Sequence, residues 1–81
     1  MKSTKDMQPE TKFGKWLLDR MLENNYTCSD VAIELQTTRQ AIRNHVTGKV
    51  KPSYVWVIAY CWFFNTLEDP YDIWCLTMKE D

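Results

Sequence analysis

No carboxylate side chain occurs between Glu34 and Glu68, although the chain as a whole is acidic, with net charge −1 and a sequence pI near 5.7. Residues 35–67 carry Arg39, Arg43, Lys49 and Lys51 and no acid, while the remainder carries 11 acids and six bases. Such asymmetry points to a one-sided partner rather than to a generally basic protein. Histidine is scarce too: His45 stands alone. The three cysteines, Cys28, Cys61 and Cys75, are odd in number, widely spaced and free of any C-x-x-C pair. That excludes a disulfide framework and leaves too few ligands for tetrahedral zinc. Buried reduced thiols and a cytoplasmic compartment are the expectation. No long apolar run is present. The longest, Tyr54 to Phe64, has 11 residues, short of the ~20 a membrane-spanning helix needs. The opening "MKSTKDMQPE" lacks the apolar centre of a secretory signal, and no internal repeat occurs.

What is abundant is aromatic: four Trp, four Tyr and three Phe in 81 residues. A domain this small buries a modest share of its surface, so large side chains must supply the core. Residues 1–10 lack periodicity and read as a disordered tail; 11–78 read as one domain, with 79–81 an exposed end. Phe13, Trp16, Leu17 and Met21 form one stripe of a helix over 11–24. "ENNY" ends it, with Asn24 or Asn25 able to turn left-handed. "TCSD" restarts the chain: Thr27 caps, Asp30 reaches back, and Val31, Ala32 and Leu35 face inward over 28–35. "QTT" breaks that helix and Thr38 caps the next, 39–46, with Ala41, Ile42 and either His45 or Val46 facing in. Gly48 and Pro52 end it. Ser53 caps a helix over 54–64, where Val55, Ile58, Ala59 and Trp62 share one stripe and Trp56, Tyr60, Phe63 and Phe64 lie off it. Asp69 and Pro70 start the last helix, 70–78, anchored by Ile73, Trp74 and Leu76. The fold class is therefore all-α, a compact five-helix domain, with no credible strand.

A two-turn helix, a tight break and a second helix with a polar outer face form the geometry of a DNA-reading helix-turn-helix. Arg39 and Gln40 occupy the first turn of that second helix, with Arg43 and Asn44 one turn on. Arg can pair with guanine O6 and N7, and Gln or Asn with adenine N6 and N7. Lys49 and Lys51 follow in a loop suited to phosphates. The segment "YTCSDVAIELQTTRQAIRNHVTGKVKPS" resembles the Cro/C1-type (XRE) helix-turn-helix. Thr27, Val31, Ala32, Leu35, Thr38, Ile42, Gly48 and Pro52 fit that family's pattern by type and spacing, and the resemblance covers about residues 11–76. It implies a lambda-repressor-like fold, base contacts from Arg39, Gln40, Arg43 and Asn44, and phosphate contacts from Thr38, Thr47, Gly48, Lys49 and Lys51. The chain departs from the pattern at Cys28, where the family commonly has Gln, at Gln36, where it commonly has Gly, and at Thr37, where it commonly has a buried Val.

The expected function is sequence-specific regulation of transcription by a Cro-like phage or prophage repressor, with double-stranded operator DNA, pseudo-palindromic in sequence, as partner. A homodimer, formed in solution or only on DNA, suits such a site, and Phe63, Phe64, Tyr71 and Trp74 are its expected interface, since aromatics are enriched at interfaces. No cofactor, metal, membrane or small-molecule effector is expected. His45 has no nucleophile or orienting group assignable to it, so no enzyme is expected. The alternative is a helix-turn-helix scaffold serving as a protein-binding antirepressor or modulator.

Overall fold

Thr11 closes an extended N-terminal segment and accepts a hydrogen bond from the Gly14 N–H, which starts α1, Lys12–Glu23. The computed structural model describes residues 7–78, all helix and connecting loop, so the first six residues of the expected tail and the 79–81 end lie outside it. Ordered chain begins earlier than sequence suggests. Met7 is buried, its sulfur 3.7 Å from the Cys28 thiol, and the Glu10 N–H bonds the Thr47 carbonyl. Four residues assigned to a disordered tail therefore lie as an arm on the folded body. An isolated apolar residue in a mixed-charge segment has no periodicity to announce it.

α2, Cys28–Glu34, opens on the reciprocal capping box of Thr27 and Asp30. α3, Arg39–Thr47, opens on Thr38, whose hydroxyl accepts from Ala41 N–H. α4, Tyr54–Phe64, follows Ser53, which makes no side-chain cap. α5, Pro70–Cys75, starts on Asp69 and stops three residues before the predicted end. Three helices finish alike. The chain turns left-handed at Asn25, Gln36 and Asn65. In each case the next N–H reaches back five residues, to Met21, Ala32 and Cys61 carbonyls, satisfying acceptors the helix leaves open. Asn tolerates that backbone conformation well, and Gln does not.

The core gathers Phe13, Leu17 and Met21 of α1, Val31 of α2, Ile42 and Val46 of α3, Val57 and Tyr60 of α4, and Ile73 of α5. α1 packs against α3 and α5, α2 against α3, and α4 against α5. Gly14 is what lets α1 lie on α3: a Cβ there would sit 2.0 Å from the Val46 carbonyl oxygen. Trp16 Nε1 donates to Glu68 at 2.9 Å and Arg20 pairs with Glu23 and Glu68, tying α1 to the α4–α5 link.

The inward face of α4 corrects the sequence reading. Val57, Tyr60 and Cys61 are buried and Trp56, Phe63 and Phe64 pack on the core. Of the predicted stripe, Val55, Ile58 and Trp62 point out, 74%, 37% and 88% exposed, and Ala59 is half-buried. Every residue of α4 is apolar or aromatic, so no polar side marks which way it faces. Cys28 and Cys61 are buried as expected; Cys75 is exposed.

Candidate functional site

The acid-free segment folds into α3 and the loop behind it. Ile42, His45 and Val46 are buried together, so both alternatives for the inner face are taken. Burial of that side fixes the other. Arg39 and Gln40 are exposed, and Arg43 and Asn44 half-exposed one turn on. Among the described residues, Arg39, Arg43 and Lys49 enter no ion pair, so three cations stand unneutralised on this side. Lys51 lies with its ammonium 5.8 Å from the Trp74 ring and 3.6 Å from the Met78 sulfur.

Gln40 Nε2 donates to Asn44 Oδ1 at 2.8 Å. The bond ties the two amides to each other across one helical turn. Whichever way both amides are turned, one donor group and one acceptor oxygen remain free. Thr38 is exposed, its oxygen accepting the cap bond. The Thr47 hydroxyl donates back to the Arg43 carbonyl at 3.0 Å, and the Gly48 N–H bonds the Asn44 carbonyl. Gly48 adopts φ +88°, the left-handed turn that swings Lys49 away from the helix.

His45 anchors the helix from below. Its Nδ1 lies 2.6 Å from the Tyr60 hydroxyl, and its ring meets Trp56 edge-on at 4.8 Å. Burial lowers the His45 pKa to about 4 and raises that of Tyr60. His45 is therefore neutral, and the hydrogen bond between its Nδ1 and the Tyr60 hydroxyl pins α3 to α4 by a buried polar contact. Burial also raises the Cys28 pKa, opposed by Arg43 and Arg39. The thiol packs in the core beside Met7.

Two features escape the sequence reading. Glu10, carried by the N-terminal arm, lies with its backbone N–H on the Thr47 carbonyl and its Cβ beside Gly48, which brings an exposed acidic residue up to the start of the cationic loop. The Gln40–Asn44 link is the other, although its i, i+4 spacing is visible in the sequence. The aromatics expected at an interface divide: Phe63, Phe64 and Trp74 pack partly on their own core, while Tyr71 is exposed. A hollow of about 420 Å³, lined by Cys61, Trp62, Asn65, Thr66, Glu68 and Pro70, opens beside α4 and away from α3. No group of three or more His, Cys, Asp or Glu among the described residues could hold a metal ion, and no described helix is long and apolar enough to cross a membrane. Comparison with protein-family models, curated proteins and solved structures finds no match.

Proposed function

We propose that the chain is a sequence-specific DNA-binding regulator of transcription, a Cro-like repressor of lambda-repressor-like fold acting in the cytoplasm. α3 enters the major groove and α2 lies across it. The observation that carries this reading is the outer side of α3 and its loop. Arg39, Gln40, Arg43 and Asn44 form one polar strip, the cations in it are unpaired, and no acid lies within the segment. Arg39 and Arg43 suit guanine O6 and N7, or phosphates. The linked Gln40–Asn44 pair offers a donor beside an acceptor. Adenine is the base whose major-groove edge presents the matching acceptor N7 and donor N6–H₂. Lys49, Lys51 and Thr38 are positioning contacts to phosphates, and Thr47 and Gly48 shape the loop that carries them. A homodimer on a pseudo-palindromic operator is part of the proposal, as is repression by occupancy; no catalytic step, cofactor or metal is part of it.

The opposing reading, a helix-turn-helix scaffold that binds a protein, draws support from Glu10 beside the loop and from the internal bonds of Thr47 and Gly48. Titration of duplex DNA at rising salt separates the two. Each phosphate contact contributes a log–log slope of roughly −0.9 through counterion release. The DNA reading expects a steep fall in affinity with salt and a shallower one for Arg39→Ala. Binding that ignores both salt and Arg39→Ala supports the scaffold.

A further inference from the structure

α4 contains no charged residue, yet Val55, Ile58 and Trp62 stand in one row on the side turned from the core. Spacing of i, i+3 and i+7 keeps them within one narrow stripe of the helix. An indole left 88% exposed on a folded surface is not explained by core packing or by the α3 strip. The surface also has relief. At the C-terminal end of the row, the 420 Å³ hollow opens beside Trp62, so a projecting ring and a recess adjoin.

We propose that this face pairs with the same face of a second copy, the two α4 helices crossing antiparallel about a two-fold axis. The inference names the pairing surface of the homodimer proposed above, and it requires no DNA. A two-fold interface must be self-complementary, and this one is in three respects. With no charge along α4, a second copy brings no like-charge repulsion to the centre. A projecting Trp62 beside a recess can be exchanged reciprocally between copies. The ends of α4 differ in charge as well: Lys49 and Lys51, which border the α3 strip, precede it, and Glu68, bonded to Trp16 and Arg20 of its own protomer, and Asp69 follow it. Antiparallel crossing therefore sets the basic end of one protomer against the acidic end of the other. Parallel crossing would set like ends together.

Size points the same way. With an aromatic ring worth roughly 150–250 Å², the row and its Tyr54 and Tyr71 edges offer on the order of 500 Å² per protomer. Two such faces bury about 1,000 Å², the lower limit of a specific interface, so a micromolar dimer is expected.

Sedimentation velocity of the full chain without DNA, from about 1 to 200 μM, tests this. The expected result is a monomer–dimer equilibrium for wild type and at least a tenfold weaker one for Trp62→Glu and for Val55→Glu. Circular dichroism of each variant should be unchanged. These positions lie outside the α3 strip, so binding of each variant to a half-site is measured separately. Loss of dimer with half-site binding intact confirms the surface. A wild type monomeric at 200 μM, or a dimer that survives both variants folded, overturns the pairing and leaves the DNA reading standing. Retained dimer with no DNA binding overturns the DNA reading instead.

Discussion

His45 shows how one buried side chain sets both position and pH behaviour. Its pKa falls to about 4 because burial penalises the charged ring. The unfolded chain, with the ordinary value near 6.5, binds the proton first on acidification. Stability is thus full above pH 6.5 and falls as pH drops toward 4, with about 2 kcal/mol lost by pH 5. Denaturant unfolding at pH 7.5 and 5 should show that loss, and His45→Gln should remove most of the difference. On the outer side, Gln40 and Asn44 are joined by a side-chain bond, and the DNA proposal treats them as one reader. Gln40→Ala and Asn44→Ala should relax preference at the same adenine, by about 1–3 kcal/mol each, measured against single-base substitutions of a bound site. Relaxation at two different positions would contradict a joined reader. Glu10 offers a third handle. Its backbone and Cβ lie beside Thr47 and Gly48, so on the DNA proposal Glu10→Lys, which reverses a charge near the loop, should tighten DNA binding several-fold at low salt and less at high salt.

Helix ends were legible because their chemistry is local. Thr27 with Asp30, Thr38, Gly48 and Asp69 with Pro70 each specify a cap within four residues, and the helices begin and end close to those marks. Faces were legible wherever a helix has a polar side. α1, α2 and α3 bury most of the residues their periodicity selects, with Leu35 and Ala41 half-buried. α4 has no polar side, so periodicity alone could not choose between Val55, Ile58 and Trp62 and the residues opposite. Its neighbours decide: Tyr60 meets His45 and Phe13, and Phe63 meets Tyr26. Gly14 was invisible for a related reason, since its role lies in the Val46 carbonyl across the helix crossing. Gly14→Ala should destabilise by about 2 kcal/mol through overpacking, despite the better helix propensity of Ala. Gln36, at φ 56°, closes α2 in a conformation that disfavours it. Gln36→Gly should raise stability by about 0.5–1 kcal/mol, read as a shift in denaturation midpoint. Of the α3 strip, residue identities were plain in the sequence, but the Gln40–Asn44 bond and the approach of Glu10 depend on side-chain geometry and on a distant segment.

At the scale of the whole molecule, charge and apolar surface lie in different places. The exposed cations of α3 lie on one side, and the exposed uncharged row of α4 lies on another. A protomer of 34 × 26 × 21 Å is of a size to set two α3 helices about 34 Å apart, one turn of duplex, when joined as a pair. The small negative net charge is then no obstacle, because the 11 acids that produce it flank the segment rather than enter it. Steep salt dependence with a modest total charge is the combined expectation. The most direct test of the central claim, that α3 reads base sequence, is selection of bound sites from a pool of random duplex DNA by the full chain. The account predicts an enriched half-site containing at least one fixed adenine, which Gln40→Ala no longer enriches, and its inverted repetition when the dimer binds. Recovery of a pool indistinguishable from the input would contradict it.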